Sequence, residues 1–204
     1  MVIIGVTGGT GSGKTSVVRR ITECFPNGTF AVIPQDSYYY DLSHVPFEQR
    51  RLTNFDHPDA FDWHLFVQQI DDLRKGKAIE QPVYDFCSST RLKETVHVEP
   101  CEVIIIEGIM TFYDDRLRGL MDLKVYVDVP ADERLIRVIL RDTVERGLTL
   151  EKIIDKYRKL IKPMHEKFIE PSKQYADLVV LNVGEIDSAI EELRGEIENR
   201  MRKL

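Results

Sequence analysis

Gly8-Gly9-Thr10-Gly11-Ser12-Gly13-Lys14-Thr15 follows the apolar run Val2-Ile3-Ile4-Gly5-Val6 and leads into Ser16-Val17-Val18-Arg19-Arg20-Ile21. Strand, glycine-rich loop and helix, in that order, are the setting in which the pattern G-x-x-x-x-G-K-[ST] cradles phosphate. The glycines let the backbone turn through positive φ and come close to a polyphosphate. Successive N–H groups then point inward, backed by the positive end of the following helix. Lys14 is placed to neutralise β- and γ-phosphate charge, and the Thr15 hydroxyl to ligate Mg²⁺. The loop predicts that a nucleoside triphosphate binds, through Gly8, Gly9, Thr10, Gly11, Ser12, Gly13, Lys14, Thr15 and Ser16. It leaves open what happens to that triphosphate.

Outward from the loop, short apolar β-branched runs alternate with longer periodic ones, the signature of an α/β fold on a parallel sheet. Strands are expected at 2–7, 30–34, 102–106, 123–128 and 177–181. Helices are expected near 14–24, 60–75, 131–146, 149–168 and 186–203. Segments 82–86 and 94–99 alternate like a hairpin inserted into this body. With 204 residues and no linker or internal repeat, the sequence predicts one domain, 1–204, with the insertion at 82–99.

Composition narrows the function classes. Hydrophobic residues make up 43% and charged residues 30%, as in a globular chain. A net charge of −6 argues against a nucleic-acid binder with a basic face. No apolar run is long enough to span a membrane. The first strand begins at residue 2, so no signal peptide is expected. Cys24, Cys87 and Cys101 lack metal or disulfide spacing and suggest a reduced, cytoplasmic protein. None of the five histidines has metal-ligand spacing; His57 adjoins Asp56 and is placed to orient it, and the other four read as surface or packing residues.

In open parallel sheets ligands sit beyond the carboxyl ends of the strands. Asp36 follows the run Phe30-Ala31-Val32-Ile33-Pro34, and Glu107 follows Val103-Ile104-Ile105-Ile106. Either carboxylate could hold Mg²⁺ directly or through water, though Asp36 could equally form a turn and Glu107 be a plain loop residue. Arg134, Arg137, Arg141 and Arg146 recur at helical spacing before Gly147. They suit either a lid, about 131–148, closing over a transferring phosphoryl group or a solvated face paired to Glu133, Asp142 and Glu145.

With these pieces in place, the chain resembles the uridine–cytidine kinase family of P-loop kinases. The likeness rests on Gly8–Ser16, Gln35-Asp36-Ser37-Tyr38-Tyr39, Asn54-Phe55-Asp56-His57-Pro58-Asp59-Ala60-Phe61-Asp62 and Pro82-Val83-Tyr84-Asp85-Phe86. It continues through Glu107-Gly108-Ile109, Val127-Asp128, Arg141-Asp142, Glu145-Arg146-Gly147 and Pro171-Ser172-Lys173-Gln174-Tyr175-Ala176-Asp177. The implied fold is a three-layer α/β P-loop NTPase type, with a central five-stranded parallel sheet, an inserted β-hairpin and a helical lid. The implied reaction is ATP-dependent phosphorylation of the 5′-hydroxyl of uridine or cytidine, with Mg²⁺, and with GTP as an alternative donor.

The resemblance implies catalytic roles for Asp36 as proton acceptor and for Lys14, Arg141 and Arg146 at the phosphates. Thr15 and Glu107 would serve the metal. Asp56 would accept from the ribose hydroxyls, and Tyr84 would face the base with Tyr39 and Phe55 beside it, although each aromatic alone could be ordinary packing. Ser89 stands where the family usually has a base-reading histidine, and Arg137 is assigned to the substrate side. Val138, Leu148, Lys156 and Leu181-Asn182-Val183-Gly184 also depart from the family pattern, all on the half that selects substrates. A homo-oligomer, dimer or tetramer, is a further family expectation. The rival readings are a kinase for another small alcohol, such as a sugar phosphate, and a nucleotide switch that binds without transfer.

Overall fold

The computed structural model describes residues 1–50 and 52–203. Among the described residues seven strands form: β1 (Val2–Thr7), β2 (Phe30–Pro34), β3 (Ile79–Asp85), β4 (Thr90–Val98), β5 (Val103–Glu107), β6 (Leu123–Asp128) and β7 (Leu178–Leu181). Five of them make one parallel sheet in the order β2-β5-β1-β6-β7, and β3 pairs antiparallel with β4 as the separate hairpin. The helices are α1 (Lys14–Glu23), α2 (Phe47–Arg50), α3 (Trp63–Arg74), α4 (Asp115–Gly119), α5 (Ala131–Glu145), α6 (Leu150–Lys156), α7 (Lys162–Met164) and α8 (Asp187–Met201).

The three inner strands, β1, β5 and β6, are apolar almost throughout because both their faces are covered, whereas the edge strands β2 and β7 leave Val32, Val179 and Leu181 exposed. Side chains alternate along β1, so Val2, Ile4 and Val6 join the core under α1 and α8, with Val17, Ile21, Ile190, Leu193 and Ile197. Ile3 faces the other way, into a core with Ile104, Phe66, Ile70, Leu73, Phe112 and Leu117 from the α3–α4 side. Each such side chain contributes roughly 1.5–3 kcal/mol through burial. Two helical layers thus clamp the sheet, and the register aligns its strand ends. Val6 and Pro34 both lie opposite Glu107, so β1, β2 and β5 open onto one edge.

Two regions differ from the sequence expectation. The hairpin is longer than the alternating pattern suggested, with a register shift between Pro82 and Tyr84, because Pro82 interrupts the ladder. The helix expected over 149–168 is α6 followed by a π-helical turn (Tyr157–Ile161), α7, a second π-helical turn (His165–Ile169) and a 3₁₀ segment (Glu170–Tyr175). π-Turns insert extra residues and rotate the following side chains, often at functional sites. Among the described residues no helix is long and apolar enough to cross a membrane.

Candidate active site at the phosphate loop

The loop between β1 and α1 takes the predicted form. Gly8, Gly11 and Gly13 have φ of 149°, 82° and 78°, and other residues rarely adopt the last two values. A Cβ on Gly11 would also lie 2.5 Å from the Arg134 carbonyl oxygen, and one on Gly13 would strike the Asn182 amide. Lys14 is buried, and its ammonium donates to the carbonyls of Gly8 at 2.9 Å and Gly9 at 3.2 Å. Burial lowers its pKa to about 8 against the pull of Glu107 and Asp36. The Thr15 hydroxyl hydrogen-bonds the Glu107 carboxylate at the mouth of the loop. A hydroxyl and a carboxylate meeting there are hard oxygen donors of the type Mg²⁺ takes alongside phosphate and water.

Asp36 is the second residue of the 3₁₀ turn that follows β2 (Gln35–Tyr38). Gln35 is fully buried and accepts the Met110 N–H at 2.9 Å, which ties this turn to the loop after β5. Desolvation raises the Asp36 pKa despite the Lys14 charge and the neighbouring Tyr39 hydroxyl, and Glu107 and Asp56 add to the rise. Asp56 is raised in the same way, with Lys156, then Lys14, Thr10 and Arg146, acting against the shift. Three carboxylates therefore share the field of one buried ammonium.

Beside them lies an aromatic group. Tyr39 stacks on Phe61 at 4.4 Å and meets Tyr84 at 5.0 Å and Phe55 at 5.1 Å. The Tyr39 hydroxyl donates to the Phe55 carbonyl at 3.0 Å, which fixes the ring. The Tyr84 hydroxyl is buried without a partner, an unsatisfied donor on the hairpin. A cleft of about 350 Å³ runs along Asp36, Ser37, Gln81, Pro82 and Tyr84. Arg91 fastens the hairpin over this region through Asp62 at 3.3 Å and the Tyr38 carbonyl at 3.0 Å. Asp62 also caps α3 by accepting the Leu65 N–H.

The arginines of α5 divide between two tasks. The buried carboxylate of Asp142, only 2% exposed, receives Arg141 Nε at 2.7 Å and Arg146 Nη1 at 3.5 Å. The charges of Arg141 and Arg146 act on Lys14 and Asp56 respectively, so both lie within electrostatic reach of the site. Arg137 stands elsewhere: it pairs with Glu133 at 2.9 Å and donates to the Asn182 carbonyl at 3.0 Å, beside Gly13. The expectation that it lines the acceptor side does not match this position. Nor is all of 131–148 free to move as a lid, because Arg134 and Val138 are buried against Gly11.

Sequence reasoning missed several contributors. Asn182 donates to the Ser12 carbonyl at 2.7 Å across 170 positions of sequence, a contact with no local signal. His165, read as ordinary packing, is buried beside Gly9. His57 does not orient Asp56: it accepts the Asp59 N–H and caps the Pro58–Ala60 turn. Ser89 occupies the hairpin turn at φ 53°, a left-handed conformation unusual for serine. Lys156 is half-buried and forms no ion pair among the described residues.

The family described as Phosphoribulokinase / Uridine kinase matches residues 3–189. The chain belongs to this family. A uridine kinase of Clostridium novyi (strain NT) is 49% identical over 197 residues, covering 97% of this chain and 95% of that one. A uridine kinase of Bacillus subtilis (strain 168) is 50% identical over 190 residues, covering 93% and 90%. Among solved structures, phosphoribulokinase from Rhodobacter spheroides superimposes with a TM-score of 0.66 at 16% identity, covering 91% of this chain and 72% of that one. That last likeness shows the shared fold. Family membership accounts for the loop, the parallel sheet and the carboxylates at the strand ends together.

Proposed function

We propose that the chain is an ATP-dependent nucleoside kinase that phosphorylates the 5′-hydroxyl of uridine or cytidine, giving UMP or CMP for pyrimidine salvage. Near 50% identity to uridine kinases over almost the whole of both chains carries this reading, and the desolvated Asp36 beside Lys14 supplies the chemistry. Residues 1–204 act as one kinase domain, with the hairpin at 82–99 and a lid within about 131–148 whose moving part is the Arg141–Leu148 end. The unpaired thiols of Cys24, Cys87 and Cys101 agree with a reducing, cytoplasmic setting.

The triphosphate lies in the loop of Gly8–Ser16, where backbone N–H groups and Lys14 take its phosphate oxygens. Thr15 and Glu107 would hold Mg²⁺, which when bound offsets charge on the β- and γ-phosphates. The nucleoside base rests among Tyr84, Tyr39 and Phe55, and such stacking tolerates either pyrimidine. Asp56 accepts from the ribose 2′- and 3′-hydroxyls. The 5′-oxygen then attacks the γ-phosphorus as the bond to the β-phosphate oxygen breaks. Its proton passes to Asp36, and ADP leaves. Phosphoryl transfer needs that proton removed late, so the placement of Asp36 counts for more than its basicity. Arg141 and Arg146, steadied by Asp142, meet the charge on the transferring group.

Asp56→Asn tests the acceptor assignment. Losing a charged hydrogen-bond acceptor is expected to raise KM for uridine about 10- to 200-fold and to narrow discrimination against 2′-deoxyuridine. Because burial raises the Asp56 pKa, wild-type KM should begin to rise, as pH falls, at a higher pH than an ordinary aspartate would give. An unchanged KM and an unchanged deoxynucleoside ratio in Asp56→Asn would remove Asp56 from the ribose.

A further inference from the structure

A second polar cluster presses on the loop at Gly9, and the phosphoryl-transfer steps above do not use all of it. Arg134 is 4% exposed; its Nε donates to the Val129 carbonyl at 3.2 Å, while its buried Nη1 has no partner. His165 is 8% exposed; its Nε2 lies 3.1 Å from Glu170 Oε2, while its buried Nδ1 has no partner. The same Glu170 oxygen accepts the Tyr126 hydroxyl at 3.2 Å. A Cβ on Gly9 would lie 2.6 Å from Arg134 Nη1 and 3.0 Å from His165 Cε1. Guanidinium and imidazole thus both crowd the space beside the Gly9 Cα, where a side chain would begin.

The two unpartnered atoms are complementary. A guanidinium nitrogen can only donate. With its Nε2 against a carboxylate, a neutral His165 carries the proton there, which leaves Nδ1 as a lone-pair acceptor. Burial, and after it the charge of Arg134, hold the His165 pKa below its ordinary value and so favour the neutral ring. A buried polar group without a partner is costly, so closing the pair relieves both. His165 is the first residue of a π-helical turn (His165–Ile169), a geometry that shifts side chains from ordinary helical positions.

We propose that His165, held by Glu170 and Tyr126, is a positioning residue whose Nδ1 accepts Arg134 Nη1–H and fixes the guanidinium against Gly9, leaving Nη2 for an oxygen of the terminal phosphate. The proposal rests on the kinase reading above, since Arg134 then meets the charge on the transferring group.

The test is a double-mutant cycle of His165→Phe with Arg134→Met, with kcat and KM measured separately and folding checked by Tm. His165→Phe is expected to lower kcat about 10- to 100-fold with KM for uridine unchanged. In the Arg134→Met background the same change should cost less than about twofold, since its target is gone. His165→Asn, whose amide oxygen falls where Nδ1 was, should restore most of the rate. The groups facing His165 are Arg134 of α5, Asp128 of β6 and Glu170. Protonation would remove the lone pair and set like charge beside Arg134, so kcat should fall on the acid side in wild type and lose that limb in His165→Asn. Imidazole ¹⁵N spectra read the tautomer without any acceptor present: a protonless Nδ1, shifted by Arg134→Met, is expected. Equal losses of kcat in both backgrounds, or a proton on Nδ1, would overturn the proposal. Failure of wild type to phosphorylate uridine would instead overturn the reading on which it rests, and the spectra distinguish the two.

Discussion

Asp36→Asn is expected to lower kcat about 10²- to 10⁴-fold while leaving KM for ATP within a few-fold of wild type. The amide keeps the size of the carboxylate and its place at the end of β2, but it cannot take the proton of the attacking hydroxyl. The fold should not suffer. Asp36 ionises against desolvation, so a neutral isostere removes a buried charge, and Tm should hold or rise. Single-turnover phosphate transfer, which excludes product release, is the measurement that checks it. Wild-type turnover in a folded Asp36→Asn protein would show that the proton leaves by another route.

Lys14→Met should separate activity from stability in the opposite direction. Transfer should fall below detection, because the loop loses its only ammonium at the phosphates. Stability should nevertheless increase. Burial lowers the Lys14 pKa from 10.5 to about 8, which corresponds to about 3 kcal/mol of cost for the charged form. The sign follows from linkage: the folded pKa lies below the unfolded one, so the cost is full below pH 8 and fades toward pH 10.5. Methionine also forfeits two hydrogen bonds to the Gly8 and Gly9 carbonyls. The net gain is expected near 1–2 kcal/mol, a rise in Tm of roughly 2–8 °C at neutral pH. The gain should shrink when the melts are repeated near pH 10. A Tm that drops in Lys14→Met would show that the ammonium braces the empty loop.

Much of the scaffold was legible because the physics there is local. The runs at 2–7, 30–34 and 123–128 form the strands expected of them: the first and last are covered on both faces and so apolar, and the edge strand at 30–34 is still marked by its short β-branched run. The phosphate loop was equally readable, because positive φ demands glycine at fixed places. The segment over 149–168 was less so. Its apolar spacing fits a helix, but the rotation introduced by two π-turns leaves no mark on periodicity, and Pro163 inside it would equally suit an ordinary break.

The candidate site was legible where a residue sits at or just beyond a strand's carboxyl end, as Glu107 and Asp36 do. It was illegible where position depends on packing between distant segments. Helical spacing could gather Arg134, Arg137, Arg141 and Arg146 on one element, but it could not say which face met the cleft. Arg137 turned toward Asn182 and Gly13, Arg134 toward Gly9, and Asp142 rather than solvent took Arg141 and Arg146. The contact of Asn182 with Ser12 joins the β7–α8 connection to the loop, and neither residue type announces it. Lys156, whose charge acts on Asp56, and Ser89 at the hairpin turn are two positions where this chain departs from the family pattern.

The account stands or falls on the acceptor. Initial rates of transfer from MgATP should be measured with uridine, cytidine, ribulose 5-phosphate and no acceptor, and the product position read by ³¹P–¹H correlation. The account predicts fast transfer to the 5′-oxygen of uridine and cytidine, with ribulose 5-phosphate no better than the blank. Transfer to the sugar phosphate with none to either nucleoside would contradict it.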